Sequence, residues 1–573
     1  MDTQGKAIFF VGDWQVLLLE GVVSRDGKSV RLEPKAIEVL AYLASRPGEV
    51  VSRDDLEKAV WRGAIVGYDA VTSTVIKLRK ALGDSSRHPT IIATIPKRGY
   101  QLIASVSFSE TAAEPELMTA NSADAVPLPA SHGRSISFPI GFIVVALVLA
   151  IGFLVTVFLF LMPSLQESPE QGAQVGESTL PSIVVLPFEN LSDDPKQGPF
   201  ADGITEDIIT DLSGLSRLLV IGSNTSFTFK GTRVTPQSIG TELNVDFVLE
   251  GSIRRSGDSV RVNAQLVDTK TGFQKWAKRY DRRVADVFVV QDEVTSSIVK
   301  ALAVQLSSEE ESRLAQRATD KLAAYDDFVE AQRLARLGTK EANIQAQAFY
   351  QSAIESDPNY GRAYGALAFT LAQSFSRRWT NAPVQTIDRA LELANSAVQL
   401  DSTDPHTHLS LGYVHLVRTE FQQAQAAAIQ TITMAPNFAD GYALLSVIKN
   451  GLGEPAAALE LIEKAMKLNP NPTWNYWYSL AVAHFVLDRI NEAIVALEAA
   501  RSKNAYSLPV RALLAASYMK SGRQDDAEWE VLEIQAINPT SSISYFRHVF
   551  PIKDEKLVHV ILEDLRAAGL PEY

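Results

Sequence analysis

One small residue recurs through the second half of the chain at almost fixed spacing. Ala390, Ala424, Ala458, Ala493 and Ala527 follow one another in steps of 34, 34, 35 and 34. Ala346 stands 44 residues earlier, and the surplus ten fits an insertion around SFSRRWTNAPVQ. Pro358, Pro436, Pro470 and Pro539 each fall twelve residues after one of these alanines, whereas the large residues Tyr442, Leu445, Trp477, Leu480 and Leu514 fall in the first helices of the units. A small residue is needed where two helices cross closely, and a proline stops the second helix. Such a helix–turn–helix cannot bury its apolar face alone, so successive units must stack. Residues 320–540 are therefore predicted to form an all-α solenoid of six units, with residues 541–573 as a C-terminal tail.

This repeat resembles the tetratricopeptide (TPR) repeat, and the resemblance implies a groove that takes a peptide or protein partner. A second constraint lies upstream, where PIGFIVVALVLAIGFLVTVFLFLMP at 139–163 holds 23 residues between two prolines without a charge. As a helix it would be about 34 Å long, enough for a hydrocarbon core of about 30 Å, so a single transmembrane helix is expected there. It begins too far into the chain for a signal peptide. Residues 106–135 and 164–180, polar and without periodicity, are expected linkers. Cysteine is absent, which excludes disulfides, zinc fingers and cysteine nucleophiles. Residues 163–573 carry 38 Lys+Arg against 51 Asp+Glu, an acidic balance poorly suited to nucleic acid. Residues 1–108 carry 15 basic against 12 acidic residues.

In DAVTSTVIKLRKALG at 69–83, Val71, Val75, Leu78 and Leu82 share one helical face. Ser73, Ile76, Lys77 and Lys80 lie opposite, with Thr72 and Arg79 on a shoulder. Cations for phosphates, hydroxyls for bases and an apolar contact for a thymine methyl suit a major groove. Two helices are expected upstream, PKAIEVLAYLASRPG opened by Pro34 and SRDDLEKAVW begun by Ser52 with Asp55 three residues on. Downstream, IIATIPKRGYQLIA forms two strands around a tight turn with Lys97 and Arg98 at its tip. LRKALG, Trp61 and TIPKRGYQL resemble the OmpR/PhoB-type winged helix of CadC/ToxR-like membrane regulators over about residues 7–104, within a domain taken as 1–105. The resemblance implies DNA contacts from Thr72, Ser73, Thr74, Ile76, Lys77, Arg79 and Lys80 in the helix and from Thr94, Lys97 and Arg98 in the wing. Pro96 stands where two-component members often carry arginine, so the wing cation must be Lys97 or Arg98. No phosphoacceptor domain is expected ahead of the winged helix.

Between span and repeats, IVVLPFENLSDD, FADGITEDIITDLSGLSRLLVIGSNTSF and FVLEGSIRRSGDSVRVNAQLVDTKTG read as an α/β domain over 181–306. They resemble the TolB N-terminal-like domain. Asp202, Glu206, Asp207 and Asp211 crowd one helix and are read as a solvated face. His406, His408 and His415 are read as structural. Gly27-Lys28-Ser29 is a hairpin turn, because Val22 stands where a P-loop needs glycine. No catalytic, metal or cofactor site is expected, and an adenylyl cyclase domain has no room. The whole is expected as a winged helix-turn-helix, a single transmembrane helix, an α/β domain and a TPR solenoid. Its expected function is a one-component transcription regulator in a bacterial inner membrane, with a cytoplasmic N-terminus on promoter double-stranded DNA as a homodimer. The C-terminal region would lie in the periplasm, sensing a ligand or a peptide or protein at the TPR groove. The alternative is an envelope scaffold whose winged helix makes protein contacts.

Overall fold

The computed structural model describes residues 8–18, 20–61, 69–84, 89–95, 98–108, 180–547, 549–550 and 552–573. The N-terminal domain runs β1 (Ile8–Val11), β2 (Trp14–Leu17), β3 (Val22–Arg25), β4 (Lys28–Arg31), α1 (Pro34–Ala44), β5 (Val50–Val51), α2 (Arg53–Trp61), α3 (Asp69–Leu82), β6 (Ile92–Ile95), β7 (Gly99–Leu102) and β8 (Val106–Phe108). Its first sheet has the order β4-β3-β2-β1-β8 and its second β5-β7-β6. Asp26 and Gly27, both at positive φ, turn β3 into β4 as two-residue hairpin loops require. Pro34 opens α1, and Ser52 caps α2 by accepting the Asp55 N–H at 3.1 Å. Leu40, Leu43, Leu56, Val75, Leu78 and Tyr100 fill the core between helices and wing.

The α/β domain holds β9 (Ser182–Val185), β10 (Glu189–Asn190), α4 (Gly198–Ser213), β11 (Leu219–Val220), α5 (Ser223–Phe227), α6 (Pro236–Leu243), β12 (Phe247–Ser256), β13 (Ser259–Asp268), β14 (Gln274–Arg283), α7 (Val287–Ala301) and α8 (Ser308–Leu314). Its sheet order is β11-β9-β12-β13-β14, with β10 beside β12. Strand β9 lies parallel to both β11 and β12, and its Ile183, Val184 and Val185 are all buried, as a strand covered on two faces demands.

Six antiparallel helix pairs follow. They are α9 (Leu322–Ala335) with α10 (Lys340–Ser356), α11 (Gly361–Ser376) with α12 (Pro383–Leu400), and α13 (Pro405–Val417) with α14 (Phe421–Met434). Next come α15 (Ala439–Gly451) with α16 (Pro455–Leu468), α17 (Trp474–Val486) with α18 (Ile490–Lys503), and α19 (Leu508–Lys520) with α20 (Gln524–Ile537). The six periodic alanines all sit in second helices and are fully buried where the partner helix crosses. Pro358, Pro436, Pro470 and Pro539 each stand two residues past the end of a second helix. The ten surplus residues lengthen the second pair, whose helices have 16 and 18 residues against 13 and 14 in the third. Two further helices, α21 (Ile543–Phe546) and α22 (Glu555–Ala567), pack Phe546, Ile561 and Leu565 against the last pair.

Helix α4 lies against the first helices of the solenoid, and here one expectation is corrected. Its carboxylates are not a solvated face. Asp207 accepts from Arg362 Nη1 at 2.7 Å and from Tyr325 Oη at 2.6 Å. Glu206 pairs with Arg336, and Asp202 with Lys230. Burial raises the Asp207 and Glu206 carboxyls, opposed by Arg362 and Arg336. Asp211 is pushed up to about 7 by burial and by the neighbouring Asp207. The cause is the solenoid, whose Arg336 and Arg362 turn an acidic face into an interface. His406 sits half-buried between Thr210 and Arg362, and burial together with the Arg362 charge holds its imidazole neutral, while His408 meets the Ser402 carbonyl and His415 meets Glu420. Among the described residues no group of His, Cys, Asp and Glu could hold a metal ion.

A second correction concerns the membrane. Among the described residues no helix is long and apolar enough to cross a bilayer, against the expected single transmembrane helix. The stretch 139–163, on which that expectation rested, and most of both linkers lie outside the described residues. Hydropathy of a run shows only what the run could do as a helix. The expected single-pass inner-membrane topology is therefore withdrawn.

Candidate nucleic-acid interface

Helix α3 is placed by its apolar face. Val75, Leu78 and Leu82 are fully buried and Val71 nearly so, which fixes the rotation of the helix on the domain. Lys77 and Lys80 are thereby turned outward and exposed. Lys77 Nζ lies 2.7 and 2.8 Å from the two carboxylate oxygens of Glu33, just ahead of α1. That pair is exposed on both sides, so water and a phosphate compete with it at little cost. Thr74 faces inward and is buried. The side chains of Thr72, Ser73 and Ile76 lie outside the described residues, as does Lys97.

The wing is β6 and β7 joined by a tight turn, in which the Arg98 N–H donates to the Ile95 carbonyl at 3.0 Å. Arg98 is exposed at the described end of this turn. Gly99 has φ +134°, and a Cβ there would collide with the Val51 carbonyl oxygen of β5. The wing thus leans on β5 at a point where only glycine fits.

Arg79 and Thr94, expected as DNA contacts, meet each other. Arg79 Nη2 donates to Thr94 Oγ1 at 2.9 Å and to the Ile92 carbonyl at 2.8 Å, and Nε donates to the same carbonyl at 3.2 Å. The Trp529 ring of α20 lies over the guanidinium at 5.3 Å, leaving Arg79 only 4 % exposed. Burial lowers its pKa, opposed by Tyr100 and Asp84. Sequence reasoning missed Asp84, whose carboxylate accepts the N–H groups of Thr90, Ile91 and Ile92 at 2.7, 3.1 and 2.8 Å. The signal for it is the Gly83-Asp84 pair after the helix, which reads as a stop followed by a turn acceptor.

Three helices followed by a hairpin wing, with cations on the outward face of the third helix and on the wing, define a winged-helix DNA-binding domain. Residues 27–102 match the family described as "Transcriptional regulatory protein, C terminal", and residues 439–472, which hold α15 and α16, match "Tetratricopeptide repeat". The chain is 24% identical over 506 residues to the transcriptional activator CadC of Escherichia coli K12, covering 82% of this chain and 94% of that protein. It is 46% identical over 83 residues to the cholera toxin transcriptional activator of Vibrio cholerae, covering 14% of this chain and 28% of that protein. It is 43% identical over 231 residues to a protein of Rhizobium meliloti 1021 named putative adenylate cyclase 3, covering 40% of this chain. The match spans only 39% of that protein's length. The chain thus carries an OmpR/PhoB-type winged helix and a TPR repeat, and has CadC- and ToxR-family homologues. The CadC and Vibrio relatives are named as transcriptional activators.

Proposed function

We propose that the chain regulates transcription by binding promoter DNA through α3 and the wing, with the α/β domain and solenoid sensing a ligand or protein partner. The observation that carries this reading is the outward face of α3, whose described cations Lys77 and Lys80 stand on the same domain as Arg98 of the wing. Cations there neutralise phosphates and hold a recognition helix in register on the duplex. The wing cation suits the adjacent minor groove. Lys97 and the early α3 residues Thr72 and Ser73 belong to the same proposed surface. Two copies on tandem half-sites would bind far more tightly than one, so a change in association is sufficient to switch occupancy.

Support for sensing comes from a cavity of about 330 Å³ between α4, the Ser223–Asn224 segment and the first helices of the leading repeats. Phe328, Tyr350, Phe369 and Phe438 give it an apolar wall, with Gln373 and Asn437 among its polar groups. This size and mixture suit a small organic molecule.

The test is binding of the full chain to the DNA upstream of its own gene at two salt concentrations. Salt-sensitive binding above that of unrelated DNA is expected, with loss in the Lys77→Ala, Lys80→Ala, Arg98→Ala triple variant. Binding no stronger than to unrelated DNA, or unchanged in the triple variant, would leave the winged helix as a protein-contact module.

A further inference from the structure

Strand β6 is an edge strand, because the wing sheet has the order β5-β7-β6. Its backbone groups alternate between facing β7 and facing away. The Ile91 carbonyl faces β7 and accepts the Ile103 N–H at 2.9 Å. Both backbone groups of Ile92 face the other way, where no strand lies. A buried N–H and C=O without partners are costly, and Ile92 is fully buried. The end of α3 supplies what the missing strand would. Asp84 Oδ2 accepts the Ile92 N–H at 2.8 Å, and Arg79 donates twice to the Ile92 carbonyl. Arg79 extends the grip to Thr94 Oγ1, and Asp84 Oδ1 extends it to the N–H and hydroxyl of Thr90. One residue of the wing is thus held on both backbone groups by two oppositely charged side chains, one in α3 and one just beyond it. Charge-assisted bonds of this kind are short and directional.

We propose that Arg79 and Asp84 are positioning residues that lock the root of the wing to the recognition helix, so that Arg98 and α3 meet the duplex as one rigid body. Arg79 then acts through the wing and not on a phosphate. Its guanidinium already spends two nitrogens on β6, and the Trp529 ring covers its face. This inference rests on the DNA-binding reading above. It differs in what it asks of Arg79, because a phosphate contact and a wing brace respond differently to salt and to loss of the wing cation.

The experiment uses the full chain and the same upstream DNA fragment across a salt series. The variants are Arg79→Gln, Asp84→Asn, Arg98→Ala and the two doubles with Arg98→Ala. Losing the brace is expected to weaken binding roughly tenfold, and to lower the slope of log affinity against log salt by no more than Arg98→Ala does. In the Arg98→Ala background the same substitutions should cost almost nothing more, because the wing cation they position has gone. A salt slope lowered by about one more when Arg79→Gln is added to Arg98→Ala would make Arg79 a phosphate contact and overturn the proposal. Fully additive losses with Arg98→Ala, or no cost from Arg98→Ala itself, would overturn it as well. Asp84→Asn grips the other side of Ile92 and carries the same comparison if Arg79→Gln does not fold. Absence of salt-dependent binding by the unaltered chain would instead refute the DNA-binding reading.

Discussion

Arg362 shows how one residue can decide the character of a surface. It sits in the first helix of the second repeat, 7 % exposed, and donates to Asp207 while lying 3.8 Å from Asp404. Without it, two carboxylates would be buried against each other at a cost of several kcal/mol. Asp211, one helical turn beyond Asp207, forms no ion pair among the described residues; it feels Arg362 only at a distance and accepts a 3.3 Å bond from Gln291. Burial, and then the neighbouring Asp207, raise its pKa from 3.8 to about 7. A raised carboxyl holds its proton in the folded state after the unfolded chain has released it, so its contribution to stability falls as pH rises from 3.8 to about 7. Asp211→Asn should remove this part of the pH dependence. Its melting temperature should gain on the parent chain steadily across that window, and a difference between the two that is flat with pH would refute the assignment.

At the scale of elements, what was legible followed from periodicity. The face of α3 is visible because Val71, Val75, Leu78 and Leu82 repeat at helical spacing, and the six alanines mark every helix pair of the solenoid. Arg79 follows Val75 by four residues, so it stands only about 40° round the helix from a buried position. That angle places it on the shoulder, but only the fold brings β6 there. The acidic face of α4 was illegible for the same reason, since Arg336 and Arg362 lie more than a hundred residues away. The glycine just after the wing turn is a third case, because Gly99 is forced by the approach of β5 and not by its neighbours in sequence. Gly99→Ala should push the hairpin off Val51, costing about 1–3 kcal/mol. Denaturant unfolding and DNA affinity should both suffer, and a variant normal in both would show that the wing tolerates the displacement.

At the scale of the whole molecule, the α/β domain and the leading repeats share one core, which runs from Ile183 to Val414. Two asparagines pin that union. Asn437 Nδ2 donates to the Leu215 and Leu218 carbonyls at 2.8 and 2.7 Å, and Asn469 Oδ1 accepts the Thr225 N–H and hydroxyl at 3.0 and 2.6 Å. Replacing both with alanine leaves buried backbone groups unpaired, at about 1–3 kcal/mol each. Earlier thermal unfolding and faster proteolysis within residues 180–306 are expected, and an unchanged melting curve would mean that the shared apolar core alone suffices. The seating of α4 also bears on how a partner gains entry. The first helices of the leading repeats already hold a guest that belongs to the same chain and never diffuses away. A peptide seeking that groove must displace a tethered competitor, so its dose–response would begin at a threshold set by the strength of the internal guest. Weakening α4 would then lower the threshold without altering a single residue that the newcomer touches.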